Sequence, residues 1–178
     1  MEMALNIDVI LAVLAAVAVI VFVVFRVRDK FKPVDPKDIV VTVHDVDVVY
    51  NAVRDSAGED VFAVFLIPSI QTSANDGVPS VELALLNGVV GIDYVLLSKA
   101  NIEKQQSFVD LANEMGHTVV EHVLGDVPYL RVEDGDVPQL MRETLRRIFD
   151  LNDDELMSIV LEGIDHSNIV PRLSKMRT

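Results

Sequence analysis

The 178-residue sequence contains no cysteine. Disulfides, thiolate nucleophiles and cysteine-ligated metals are therefore excluded. The spacings that announce common chemistries are also missing: there is no G-x-G-x-x-G, no P-loop, no G-x-S-x-G and no H-E-x-x-H. Internal repeats and low-complexity segments are lacking as well. No cofactor is expected. Lysine is scarce, at six residues, and neither Lys nor Arg occurs before position 26.

Acidic residues are abundant instead. The chain has 28 Asp and Glu against 15 Lys and Arg, a formal net charge of −13. Residues 1–37 hold five basic and four acidic side chains, so the remaining 141 residues carry −14. Such a surface repels phosphate backbones, and a nucleic-acid partner is not expected. Asp outnumbers Glu eighteen to ten. With few lysines, that balance suits a salt-adapted proteome, in which carboxylate repulsion is screened.

The longest uncharged run is residues 9–25, which has no charged, amide or hydroxyl side chain. As a helix it spans about 26 Å, and Leu5, Ile7 and Val27 extend it toward the roughly 30 Å bilayer core. The leader carries no basic residue, whereas FVVFRVRDKFKPVDP (22–36) is rich in them. Arg26, Arg28, Lys30, Lys32 and Lys37 therefore predict an uncleaved single-pass helix with its N-terminus outside and the body cytoplasmic. The expected organisation is an anchor at 1–31, a Pro/Lys stalk at 32–38 broken by Pro33 and Pro36, an α/β domain at 39–170 and a basic flexible tail at 171–178. On this reading the plasma-membrane bilayer is a partner through residues 5–27.

Within the body, IVVTV (39–43) predicts a strand, residues 49–58 a helix, and VFAVFLI (61–67) a central strand. Residues 68–77, rich in Ser, Asn and Gly, form a loop. VELALLNGVV (81–90) predicts a short helix started by Pro79 and weakened by Gly88 and Gly91. YVLLS (94–98) is the next strand. Asn101 is expected to cap a helix with inner face Phe108, Leu111, Ala112 and Met115 and a stop at Gly116. TVVEHVL and PYLRV read as a hairpin around Gly125 and Asp126, with Pro128 implying that the second strand starts late or lies at an edge. Asp136 with Gln139, and Asn152 with Glu155, are capping-box signatures for two C-terminal helices. The stripe of the first is Leu140, Met141, Thr144, Leu145 and Ile148; that of the second is Leu156, Ile159, Val160 and Ile164. Alternating strands and helices predict a three-layer α/β domain with a mainly parallel sheet and one late antiparallel hairpin.

Candidate chemistry is sparse. HDVD (44–47) follows the first strand, where sheet ends often carry ligand groups, so His44, Asp45 and Asp47 form a weak candidate site. The plainer reading makes an aspartate the helix cap. His117 and His122 flank one strand on opposite faces and cannot share a metal. Glu133, Asp134 and Asp136 lack the twelve-residue ligand spacing of a calcium loop. Arg142, Arg146 and Arg147, with Arg131 nearby, are the one basic cluster and a candidate docking surface, although Glu143 can pair with Arg147 along the helix. These features favour a non-catalytic, membrane-anchored protein-interaction domain, an accessory or assembly subunit of a membrane complex. The alternatives are a tethered enzyme using His44, Asp45, Asp47 and the 68–77 loop, and a sensor of a cation or small ligand.

Overall fold

The computed structural model describes residues 39–58, 60–71, 73, 75–165, 169 and 171–173. The predicted anchor, the stalk and the orientation residues Arg26, Arg28, Lys30, Lys32 and Lys37 lie outside them. Among the described residues no helix is long and apolar enough to cross a membrane. The expectation of a single-pass plasma-membrane protein with a cytoplasmic domain is corrected accordingly.

The strands are β1 (Val40–Val41), β2 (Val61–Leu66), β3 (Ser80–Leu86), β4 (Val89–Val95), β5 (Val120–Leu124), β6 (Val127–Val132) and β7 (Met157–Glu162). They form one seven-stranded sheet in the order β1-β7-β2-β3-β4-β6-β5. Every pairing is antiparallel. The helices are α1 (Val46–Arg54), α2 (Lys99–Glu103), α3 (Gln105–Glu114) and α4 (Val137–Glu143), the last continuing as a π turn, Thr144–Ile148.

The expected mainly parallel sheet is therefore wrong, and two segments explain the error. VELALLNGVV is the end of β3, a turn and the start of β4. Asn87 and Gly88 have φ of 52° and 79°, the left-handed pair of a type I′ turn. Strands joined by two residues can only run antiparallel. The predicted last helix is β7: Met157 and Ile159 are buried while Val160 and Glu162 are exposed, a period of two. The Asn152 and Glu155 signature is real as a turn, since the Glu155 N–H donates to the Asn152 carbonyl and the Glu155 side chain accepts back from the Asn152 N–H. A turn of this kind does not dictate that a helix follows. Only one of the two expected C-terminal helices, α4, is present.

Smaller corrections have local causes. The first strand shrinks to two residues because Asp45 closes a capping box on Thr42 and starts a 3-10 turn. Helix α1 ends at Arg54, before Gly58. Ser98, not Asn101, caps α2. Asn101 is instead fully buried, donating to the Ser80 and Val95 carbonyls and so tying α2 to β3 and β4. Pro128 sits at the second residue of β6, which has neighbours on both sides, and the edge strand is β5.

Directly paired residues share a sheet face, so one row fixes the core. Ala63, Leu83, Ile92 and Val132 are cross-strand partners in sequence across β2, β3, β4 and β6, and all are buried. Helices α1 and α4 cover this face, and Tyr94 stacks on Phe108 of α3 at 4.5 Å. The stripe predicted for α4 is buried at every position, from Leu140 to Ile148. The core runs on through Ile169 and Leu173. The opposite face carries Val160, Val64, Glu82, Asp93, Arg131 and Val120 as one row across six strands.

Candidate functional site

The residues singled out from sequence do not converge. Asp45 is buried, and its Oδ2 accepts from the Thr42 N–H at 2.8 Å and the Thr42 hydroxyl at 3.1 Å. Its Oδ1 has no hydrogen-bond partner. His44 is exposed, 3.8 Å from Asp154, and Asp47 accepts from Arg142 at 2.6 Å. His44 and Asp45 lie on the 3-10 turn and Asp47 on α1, and their side chains go to three places. The 68–77 loop is pinned elsewhere: the Lys99 N–H donates to the Asp76 carbonyl, and Gly77 lies against Ser98.

The basic cluster is answered charge by charge. Arg142 meets Asp47, Arg146 meets Asp153 and Glu143, and Arg147 meets both oxygens of Glu114. Hydrogen bonding to Arg147 holds the Glu114 carboxyl below its ordinary value, and Arg146 does the same for Asp153. His117 and His122 are also separated. His117 is buried against Gly135 and bonds the Asp134 carbonyl at 2.7 Å, whereas His122 stacks on Tyr129 at 5.2 Å. A Cβ on Gly135 would lie 2.7 Å from the His117 ring, and its φ is +67°, so glycine is required there twice over.

Each acid of the 133–136 segment has a structural partner. Glu133 pairs with Arg131, Asp134 accepts from the Thr118 N–H, and Asp136 caps α4 through the Gln139 N–H. The Thr118 backbone bond lowers the Asp134 pKa. Among the described residues no three His, Asp or Glu side chains are grouped to hold a metal ion.

Two features appear that sequence reasoning missed. The first is a buried ion pair on the sheet face opposite the helices. Arg131 Nη1 donates to both oxygens of Asp93 at 2.8 and 2.9 Å, Nε to Glu133, and Nη2 to the Val89 carbonyl at 3.2 Å. The Arg131 side chain is 2% exposed. Burial pushes the Asp93 carboxyl up, with Arg131 pulling it back. Burial works to lower the Arg131 pKa, yet Asp93 and Glu133 hold it above its ordinary value, so the guanidinium stays charged. Gly91 makes the room: a Cβ there would stand 3.0 Å from Arg131 Cζ and 2.8 Å from the Val132 carbonyl. Charges at alternate positions of otherwise apolar strands, Asp93 in VVGIDYV and Arg131 in VPYLRV, are the visible signal. It becomes readable only once β4 and β6 are known to be neighbours.

The second feature is the outer edge of β5. The Leu96 N–H donates to the Pro128 carbonyl, so the main chain of Pro128 faces β4. Backbone groups alternate sides along an antiparallel strand. Tyr129 and Arg131 therefore face β5, where they pair with His122 and Val120. By the same alternation, the N–H and C=O groups of Glu121 and Val123 point off the sheet. Val120, Val123 and Leu124 are 47%, 68% and 76% exposed. The strand has no lysine, proline or bulge to discourage edge pairing, and its one acidic residue is Glu121.

No family model, curated protein or solved structure matches the chain.

Proposed function

We propose that the chain is a non-catalytic protein-interaction domain, an accessory or assembly subunit, that adds an extended partner strand to its sheet at β5. The observation that carries this reading is the outward main chain of Glu121 and Val123 flanked by three exposed apolar side chains. Backbone hydrogen bonds of that kind supply affinity, and alternate side chains supply specificity. The separate engagement of His44, Asp45 and Asp47 supports the non-catalytic part. Residue-resolved amide exchange on the full chain, alone and in complex with proteins that co-purify with it, tests the proposal. The Glu121 and Val123 amides should slow on complex formation. A stable complex that leaves both at their free rates would refute it.

A further inference from the structure

Resting on that reading, we infer that the strand added at β5 is β5 of a second copy of this chain, related by a two-fold axis through His122. An isologous interface requires a surface complementary to itself. Val120–Leu124 meets that requirement in one register. With His122 on the axis, Glu121 of one copy lies opposite Val123 of the other, and Val120 lies opposite Leu124. The Glu121 and Val123 pairs are the ones whose main chains face outward, so each exchanges both backbone hydrogen bonds across the axis. His122 meets its own copy as a non-hydrogen-bonded pair, the closer kind of cross-strand neighbour.

Charge selects this register. Glu121 faces valine, and Asp126 of the turn comes beside Thr118 of the second copy, so no carboxylate opposes another. Moving the axis to Glu121 sets that carboxylate against its own copy. Moving it to Val123 places Val120 against Asp126 and leaves part of the strand unpaired. In the favoured register the two most exposed aliphatic side chains of the strand, Val123 and Leu124, both gain a partner. The body charge of −14 opposes the association at long range. Salt screens that repulsion, so the dimer tightens as ionic strength rises. A basic peptide on the same edge would respond in the opposite direction.

Three measurements on the full chain decide the matter. The absence of native cysteine makes His122→Cys a unique thiol, expected to give a disulfide-linked dimer under mild oxidation, with Ser107→Cys on exposed α3 as the control that does not. Val123→Pro removes an N–H that points off the sheet and leaves the ladder to β6 intact, so it should weaken the dimer at least tenfold in sedimentation equilibrium, with a melting transition unchanged at dilutions where the wild type is monomeric. Wild-type dissociation should fall between low and molar salt. Equal cross-linking of the two cysteine variants, or a wild-type dimer insensitive to Val123→Pro, would overturn the inference. A wild-type monomer whose Glu121 and Val123 amides slow on binding a different protein would overturn self-pairing and leave the interaction edge standing. If those amides respond to neither, both readings fall.

Discussion

The two edges of the sheet are built on opposite principles. At one end β1 is two residues long, Val41 is wholly buried, and the Thr42 and Asp45 capping box turns the chain away at once into a helix. At the other end β5 runs for five residues, four of them exposed, with its outer backbone groups unpaired among the described residues. A short, quickly terminated strand is one of the ways proteins protect an edge. The protection is present on one side and absent on the other, which marks β5 as the edge available for pairing. The β5 edge is also the better supported from within. Its inner neighbour β6 is locked to β4 by Asp93 and Arg131, and Asp134 pins the chain two residues before β5 through the Thr118 N–H.

The largest expected effect comes from breaking the lock behind the open edge. Asp93→Ala leaves the buried guanidinium with Glu133 as its one remaining carboxylate among the described residues and should cost about 3 kcal/mol in urea denaturation. Replacing both partners with apolar residues, Asp93→Leu with Arg131→Met, should recover most of that loss, because the pair is costly to break and of small net worth. Failure of the double variant to recover would mean the pair also sets strand register.

A proline scan of the edges compares them directly. The Ile159 N–H donates to the Ile39 carbonyl, so Ile39 and, by alternation, Val41 face β7. Val41→Pro should cost about 2–3 kcal/mol by removing an inward donor and disturbing the core. Val123→Pro should stay within about 0.5 kcal/mol of wild type. Similar costs at the two positions would contradict the assignment of open and closed edges.

How much of this was legible follows from which signals are local. The β5 and β6 hairpin, the α4 stripe and the Asp136 cap were read correctly because each depends on residues within a few positions of one another. The β3 and β4 hairpin was missed although Asn87 and Gly88 are the strongest short-range turn signal available. The apolar residues around them fit a helix face as well as a strand, and the turn should have decided between the two. β7 was missed because Asn152 and Glu155 form a true turn whose continuation depends on the slot between β1 and β2. That slot is a long-range fact. The candidate residues of HDVD follow a strand as expected, but the 3-10 turn carrying His44 and Asp45 and the start of α1 carrying Asp47 send their side chains apart. The Asp93 and Arg131 pair joins residues 38 positions apart and could not be seen without the sheet order.

The smallest expected effect is on pH dependence. The folded pKa of Asp134 lies below its ordinary value of 3.8, so its contribution is present above that value and lost as pH falls through the lowered one. Asp93 has the opposite sign: its raised pKa favours the fold in acid, and that contribution is lost as pH rises through the folded value. Asp134→Asn should therefore flatten the acid-side fall in stability, measured by thermal melts from neutral pH to below pH 5, by lowering the neutral value slightly toward the acid one. An acid slope identical to wild type would remove Asp134 from the support of β5.

The most direct test of the open edge is the exchange rate of the Glu121 and Val123 amides in the full chain as its concentration is raised. The account predicts that both slow together as association proceeds, with the Val41 amide protected throughout. Association with unchanged exchange at Glu121 and Val123 would contradict it.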